Sequence, residues 1–292
     1  MNIELIKQLK NNDVIPLDAD VVQSKSNLVV CSEKSRLVYR ISSTDKIKNS
    51  LNPCNIAYSH RLAWDLAEYV PVLAPISPEP TIWKRYILSC FPAVQTVSYV
   101  TVKSEQVVRF VEKFNVLQSS FPVKLQRKLR NLNVENYVAE RINMSVSKIS
   151  PAIHKCYEFY ISEYPFRQLG DIGLVHGDMH FGNLVLSHDN LLAIDLDSIA
   201  LGPVLYDIAS WHVRRYLWDC DKNVLDRAVT MAKRKDREVF NALCGWKIIS
   251  SLSYILCFGY SDRFDLSQLL HCGRSMNLPW FNELQNNDHL FC

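Results

Sequence analysis

The hydrophobic pattern of the chain changes near residue 90, and this change constrains the fold more than any other feature. Before it, short apolar or β-branched runs at Leu28–Val30, Arg36–Ile41 and Thr81–Leu88 predict strands, the first two joined as an antiparallel hairpin. From Lys103 onward, apolar residues recur instead at helical spacing. We therefore predict an α+β chain with two lobes, residues 1–90 and residues 91–292.

Helices are predicted on both sides of this boundary. Helical spacing of apolar residues indicates a first helix at about Ile56–Tyr69. The same spacing predicts later helices at about Val204–Trp218, Val224–Lys233 and Glu238–Leu256. The most apolar stretch, Ile248–Phe258, is interrupted by serines and is far shorter than the roughly 20 residues that span a bilayer. It is interpreted as part of a buried core helix.

Composition argues against several classes of protein. The 33 basic and 30 acidic residues leave a net charge of +3, which falls short of the positive excess typical of nucleic-acid-binding proteins. The opening residues MNIELIKQLKNNDV include charged side chains and cannot form the apolar region of a signal peptide. The nine cysteines are scattered, which disfavours a zinc ribbon or a redox pair. We predict a cytoplasmic protein that binds neither nucleic acid nor membrane.

One segment carries almost all of the recognisable chemistry. Between Leu174 and Asp207 the chain reads LVHGDMHFGNLVLSHDNLLAIDLDSIALGPVLYD. A polar loop follows the first apolar pair, and two short apolar runs, Leu184–Leu186 and Leu191–Ile194, flank a turn of polar residues. These runs predict a hairpin whose second strand ends at Asp195.

The spacing of polar residues in this segment is that of a phosphoryl-transfer site. Such a site needs a group that accepts the proton of the attacking hydroxyl, and oxygen ligands that hold magnesium against the phosphates of a nucleotide. Asp178 and Asn183 lie five positions apart, the separation between the base and the metal-binding asparagine of the protein-kinase catalytic loop. Asp195, after the predicted hairpin, would supply an anionic magnesium ligand.

This segment resembles the motif of the aminoglycoside phosphotransferase and choline kinase family. The residues that match are His176, Gly177, Asp178, His180, Gly182, Asn183, Ile194 and Asp195, followed downstream by Gly202, Pro203, Tyr206 and Asp207. The resemblance implies a two-lobed protein-kinase-like fold, with a small antiparallel sheet in the N-terminal lobe and a mainly helical C-terminal lobe. It also implies ATP and Mg²⁺ as cofactors and a small molecule with a hydroxyl group as the phosphate acceptor.

The resemblance assigns roles to the residues of the motif. It implies that Asp178 is the catalytic base and that Asn183 and Asp195 are metal ligands. By the same likeness His176 braces the loop and Asp207 is structural. Two further residues are interpreted as supporting ones: His180 as a packed loop residue, and Asp197 as either a second metal contact or a surface residue.

The likeness continues, with a looser match, through the first lobe. Lys25 and Ser26 resemble the family's phosphate loop, and Leu37–Ile41 resembles its third strand. This would make Arg40 the cation that holds the α- and β-phosphates. Trp83 and Tyr86 lie on a run similar to the strand that enters the nucleotide hinge, so they are also expected to contact the nucleotide.

The first lobe departs from the family pattern at one position. The helix that normally supplies a glutamate partner for the phosphate-holding cation offers Ser59 and His60 here, and Glu68 lies two turns too late. Either another carboxylate positions Arg40, or the ion pair is absent. The second possibility leaves open a pseudokinase that binds ATP without efficient catalysis.

Two other chemistries use some of the same residues. Asp195 and Asp197 could hold the manganese ion of a nucleotide-sugar transferase, and His176 with Asp178 could belong to a two-histidine, one-carboxylate iron site. Each of these leaves part of the motif unexplained. The acceptor could be an antibiotic, sugar, nucleoside or amino-alcohol. A heavily cationic acceptor is disfavoured by the basic residues on the later helices, Arg214, Arg215, Arg227, Lys233, Arg234, Lys235 and Arg237.

Overall fold

A computed structural model describes residues 2–24, 28–43, 56–97, 101–144, 151–217, 223–258 and 273. The chain forms two compact units. The first comprises Met1–Val97 together with Asn183–Ser198, and the second comprises Ser98–Gly182 together with Ile199–Cys292. The segment that follows the polar loop therefore belongs to the same unit as the N-terminal residues, although the loop itself belongs to the second unit.

The secondary structure of the described residues is as follows. The strands are β1 (Asp20–Ser24), β2 (Leu28–Ser32), β3 (Leu37–Ser43), β4 (Thr81–Trp83), β5 (Tyr86–Pro92), β6 (Gln95–Thr96), β7 (Ile172–Val175), β8 (Leu184–Ser187), β9 (Asn190–Ala193) and β10 (Ala200–Pro203). The α-helices are α1 (Asn2–Asn11), α2 (Ile56–Leu66), α3 (Ser104–Phe114), α4 (Val123–Gln126), α5 (Val134–Met144), α6 (Pro151–Glu163), α7 (Tyr206–Leu217), α8 (Asn223–Lys235) and α9 (Arg237–Phe258). Single 3₁₀ turns occur at Gln118–Ser120, Phe166–Gln168, Phe181–Asn183 and Leu196–Ser198.

The first unit is built on an antiparallel sheet with the strand order β1-β2-β3-β5-β4. The hairpin predicted between the first two apolar runs is confirmed, with Leu28 opposite Ile41. Alternate residues of β2 are buried, as a strand with one face on a core requires. The core beneath this sheet consists of Ile6, Leu9, Ile15, Ala19, Leu28, Val30, Ile41 and Leu88.

The prediction of a single strand over Thr81–Leu88 is wrong. The run contains two strands, β4 and β5, which pair with Trp83 opposite Tyr86. The chain reverses at Lys84, whose φ of 53° lies in the left-handed region that few lysines adopt. Because the turn carries none of the residues that usually mark one, the sequence pattern gave no sign of it.

The hairpin predicted within the motif segment is confirmed. Strands β8 and β9 pair in register, with Leu184 opposite Ala193, and β6 joins them in a three-stranded sheet. The turn residues His188 and Asp189 have φ values of 46° and 65°. Both residue types tolerate this conformation better than β-branched residues do, so the local sequence suits the turn.

The second unit is mainly helical, with the two-stranded sheet β10-β7 as its strand component. The helices predicted late in the chain are confirmed as α7, α8 and α9, with ends that differ by a few residues. Trp246 of α9 is fully buried against the rings of Tyr157, Tyr160 and Phe166, and its Nε1–H donates to the carbonyl of Tyr164 at 2.7 Å. These aromatic contacts fix α9 in the core of the unit.

By length and composition, one described helix, Arg237–Phe258, could cross a membrane. Of its most apolar part, 61% is buried inside the structure. This burial agrees with the interpretation of its apolar stretch as a core helix.

Candidate active site

The loop after β7 is held by the side chain of Asp207, the second residue of α7. The backbone N–H groups of His176 and Gly177 donate to the two Asp207 carboxylate oxygens at 2.6 and 3.0 Å. Gly177 has a φ of 80°, a left-handed backbone conformation that suits glycine. A carboxylate that accepts two hydrogen bonds therefore fixes the backbone immediately before Asp178.

His176 and Asp207 support this loop from buried positions. His176 is fully buried and Asp207 is 2% exposed. Burial raises the pKa of Asp207, while the neighbouring His176 and the two backbone N–H donors act in the opposite direction. The Nδ1 atom of His176 accepts the backbone N–H of Asp178 at 3.3 Å, so this side chain contacts the loop.

Asp178 is an ionised carboxylate at neutral pH. Burial acts to raise its pKa, but the charges of Arg214 and Lys247 outweigh burial, so the pKa lies below its usual value. The guanidinium Nη1 of Arg214 donates directly to Asp178 Oδ1. An ionised carboxylate is the form that a general base requires.

His180 is a neutral neighbour of Asp178. Its Nε2 lies 3.8 Å from Asp178 Oδ2, and its Nδ1 accepts the backbone N–H of Gly182 at 3.0 Å. Burial, with a further contribution from Arg214, lowers the pKa of His180 to about 4. The imidazole therefore carries no charge at pH 7 and braces the loop toward Gly182.

Asn183 and Asp195 lie at the same end of the β8–β9 hairpin in the first unit. The backbone N–H of Ile194 donates to the carbonyl of Asn183 at 2.9 Å, which holds the two chain segments together. Asp195 has a φ of 58°, an uncommon conformation for a residue other than glycine. The side chains offer amide and carboxylate oxygens, which are the ligand types that Mg²⁺ prefers.

These two side chains would suit a magnesium ion bound with a nucleotide better than a metal held entirely by protein. Among the described residues there is no cluster of three or more His, Cys, Asp or Glu suited to a metal ion. Magnesium bound with a nucleotide takes only one or two carboxylates from the protein, because phosphate oxygens and waters complete its coordination.

Arg40 lies between two carboxylates of the segment after β9. Its Nη1 is 3.0 Å from Asp195 Oδ1 and 3.3 Å from Asp197 Oδ1, and its Nη2 is 2.5 Å from Asp197 Oδ2. On α2, the buried His60 directs its Nε2 to the carbonyl of Ser77 at 2.9 Å. Two carboxylates distant in sequence therefore pair with Arg40, which is the role that the family pattern gives to a helix glutamate.

Of the other predicted nucleotide-binding residues, one pair lies outside the described part of the chain and one pair lies within it. Lys25 and Ser26 lie outside the described residues. Trp83 and Tyr86 stack on each other at the β4–β5 turn, with ring centroids 6.2 Å apart, and both pack against the core of the first unit. Their contact with a nucleotide stays a prediction.

The predicted residues thus fall into two groups, one in each unit. The first unit contains Arg40, Asn183, Asp195 and Asp197, and the second contains His176, Asp178, His180 and Asp207. The motif did not identify Arg214 and Lys247 as neighbours of Asp178. Arg214 was noted only as one of the basic residues on the later helices, and Lys247 was not singled out at all.

Comparison with known proteins identifies the family. The family model of the phosphotransferase enzyme family matches residues 56–228. No curated protein matches the chain by sequence.

Several solved structures share the fold along nearly the whole chain. One is a mutant of aminoglycoside 2'-phosphotransferase-IIIa in complex with GDP, with 13% identity, a TM-score of 0.65 and 98% of each chain covered. Another is a choline/ethanolamine kinase family protein from Mesorhizobium loti, with 14% identity, a TM-score of 0.64 and 96% of each chain covered. A third is the amicoumacin kinase hAmiN in complex with AMP-PNP, Ca²⁺ and Ami, with 13% identity, a TM-score of 0.61 and coverages of 99% and 97%. The chain therefore belongs to the phosphotransferase enzyme family and has the kinase-like fold of aminoglycoside phosphotransferases and choline kinases.

Proposed function

We propose that this phosphotransferase moves the γ-phosphoryl group of ATP to a hydroxyl group of a small molecule in the cytoplasm. The observation that carries the proposal is the ionised Asp178 on a loop whose backbone is held by Asp207. In the proposed step the acceptor oxygen bonds to the γ-phosphorus and its proton passes to Asp178. The bond from that phosphorus to the bridging oxygen breaks, and ADP leaves with the electron pair.

Residues of the first unit would hold the nucleotide. Arg40, fixed by Asp195 and Asp197, is the proposed cation for the α- and β-phosphates, and the remaining proposed contacts are Lys25, Ser26, Trp83 and Tyr86. Asn183 and Asp195 would hold Mg²⁺, which when bound neutralises charge on the phosphates. Arg40 and the metal would then share Asp195, while Asp197 pairs with Arg40.

The geometry bears on two of the alternative functions. A pseudokinase was suggested by the missing helix glutamate, but Arg40 has two carboxylate partners from another segment. A nucleotide-sugar transferase would need Asp195 and Asp197 as a metal-binding pair. Asp197 pairs instead with the Arg40 guanidinium through both of its oxygens, which favours the kinase proposal.

The test is a screen for ATP consumption over hydroxylated antibiotics, sugars, nucleosides and amino-alcohols, with Asp178→Ala as the blank. Loss of the base should slow turnover by about 10²- to 10⁴-fold. Binding of the nucleotide, measured separately by calorimetry, should change little, because its proposed contacts belong to other residues. Unchanged turnover in Asp178→Ala with every acceptor that the wild type uses would refute the assignment of the base.

A further inference from the structure

The surroundings of Asp178 within the second unit are rich in positive charge. Arg214 projects from α7 and forms an ion pair with Asp178, with 19% of its own side chain and 44% of the Asp178 side chain exposed. The Arg214 side chain is thus largely shielded from bulk water, while the Asp178 carboxylate remains accessible to solvent and to a ligand.

Lys247 of α9 adds a second cation to the same place. Helices α7 and α9 pack together, and Lys247 is a partly buried residue of α9. Its ammonium group interacts electrostatically with both Arg214 and Asp178. Burial and then Arg214 lower its pKa to about 8, so most of the population is still charged at pH 7.

The nearby acids do not balance these cations. Asp207 is buried and accepts two backbone N–H groups, so its carboxylate is committed to the loop. Arg141, which also interacts with Lys247, adds a third positive charge; it is held by Ser250, whose carbonyl and hydroxyl it reaches at 3.0 and 3.1 Å. Among the described residues of the second unit, the surroundings of Asp178 therefore carry a net positive charge.

This arrangement has a consequence for the base itself. Arg214 donates to Asp178 Oδ1, and a carboxylate so engaged is a weaker acceptor for the proton of a hydroxyl group. A cationic acceptor would be repelled by Arg214 and Lys247, and the ion pair between Arg214 and Asp178 would stay intact. An anionic group on the acceptor would attract both cations and draw the guanidinium from Asp178.

We propose that the phosphate acceptor carries an anionic group, a carboxylate or a phosphate, close to the hydroxyl that reacts, and that Arg214 and Lys247 bind this group. This inference rests on the phosphotransferase function proposed above and narrows its substrate class. It also gives Arg214 a positioning role. When the acceptor binds, Arg214 would move from Asp178 to the anionic group, so that Asp178 is free to accept the proton of the hydroxyl.

The test measures anion binding directly and does not require the natural acceptor. The full-length protein is saturated with AMP-PNP and Mg²⁺ and titrated by calorimetry, at constant ionic strength, with inorganic phosphate, D-glycerate or 3-amino-1,2-propanediol. We expect saturable binding of at least one of the two anions and none of the amine. Binding of phosphate alone identifies a phosphorylated acceptor, and binding of glycerate identifies a hydroxylated carboxylate.

Variants show whether the anion binds at the proposed place. Arg214→Gln and Lys247→Gln should each weaken anion binding by about tenfold or more, which corresponds to about 1.4 kcal/mol. Arg214→Lys should retain part of the affinity, which also shows that the position tolerates change. The matched control is Arg234→Gln, an exposed cation in the last turn of α8, which should bind as the wild type does.

Failure of this inference is distinct from failure of the proposed function. If neither anion binds saturably, or if Arg214→Gln and Lys247→Gln bind as tightly as the wild type, the anionic acceptor is refuted even though AMP-PNP binds. If AMP-PNP with Mg²⁺ does not bind, the phosphotransferase proposal fails, and the same titrations on the protein alone still report on the cationic site.

Discussion

At the scale of single residues, the Arg40 guanidinium lies between the carboxylates of Asp195 and Asp197. Asp197 is 157 positions away in sequence, and no local pattern links it to β3. The sequence therefore showed that the helix glutamate is missing, but it could not show what replaces it. Arg214 and Asp178 present the same difficulty across 36 positions, whereas Asp178, Asn183 and Asp195 could be proposed together from the sequence because they lie in one motif.

We expect Asp197→Asn to weaken nucleotide binding. The neutral amide cannot match the charge of Arg40, so the guanidinium loses its closest ionic partner and is held less firmly for the phosphates. The expected loss is about tenfold in the affinity for AMP-PNP with Mg²⁺, or about 1.4 kcal/mol, measured by calorimetry.

The control for Asp197→Asn is Glu79→Gln. Glu79 also pairs with an arginine of the first unit, Arg61 at 2.6 Å, but both partners are largely exposed. Such surface pairs contribute little, so nucleotide affinity should stay at the wild-type level. Equal affinities of Asp197→Asn and wild type would show that Asp197 does not position Arg40.

At the scale of elements, the strands and helices with regular periodicity were predictable, and the exceptions have local causes. The β8–β9 hairpin follows from two apolar runs around a polar turn. The β4–β5 hairpin was read as one strand because its turn uses Lys84 in a left-handed conformation. Similarly, α2 ends at Leu66, although apolar residues continue at helical spacing to Tyr69.

The contact between α6 and α9 depends on the absence of a side chain at Gly245. A Cβ atom at this position would lie 1.7 Å from the hydroxyl oxygen of Tyr160 and 2.3 Å from its Cζ atom. Tyr160 is 1% exposed and cannot swing away into solvent. We expect Gly245→Ala to lower the free energy of unfolding by about 1–3 kcal/mol, the usual range for overpacking, as measured by urea denaturation.

A double variant separates this clash from the general effect of alanine in a helix. Tyr160→Phe removes the hydroxyl oxygen that meets the new methyl group most closely, so Gly245→Ala should be less destabilising in the Tyr160→Phe background. A Gly245→Ala protein as stable as the wild type would mean that the two helices can separate at this point without cost.

At the scale of the whole molecule, the chain keeps the family fold at 13–14% identity with the solved structures. What is retained is the order of elements and the motif. The two-lobed α+β architecture could be predicted because both kinds of periodicity and the motif survive in the sequence. The chemical nature of the acceptor could not be predicted from the sequence. In our proposal it depends on Arg214 and Lys247, which the packing of α7 against α9 brings together.

Buried histidines should make the whole protein sensitive to mild acid. His212 is 3% exposed, packs against Tyr216 and Phe240, and has a buried Nδ1 with no hydrogen-bond partner among the described residues. Burial, with a smaller contribution from Arg215, lowers its pKa from 6.5 to about 3. The unfolded chain then binds more protons than the folded one, so stability is complete above pH 6.5 and declines as the pH falls below it.

The size of this effect can be measured by urea denaturation at two pH values. For His212 alone, the free energy of unfolding should fall by on the order of 2 kcal/mol between about pH 6.5 and about pH 5. His212→Phe fills a similar space and cannot be protonated, so it should flatten this dependence. An identical slope in the variant and the wild type would contradict the assignment to His212.

The choice of arginine at position 40 has a consequence for how this site can change. The planar guanidinium of Arg40 has several N–H donors and can pair with Asp195 and Asp197 together. The ammonium group of a lysine is a compact charge that would have to favour one of the two carboxylates. Substitution of Arg40 by lysine would therefore be tolerated only if α2 also carried a glutamate. The residue at position 40 and the residue at the glutamate position of α2 should therefore vary together. Homologues with lysine on the third strand should carry glutamate on the helix.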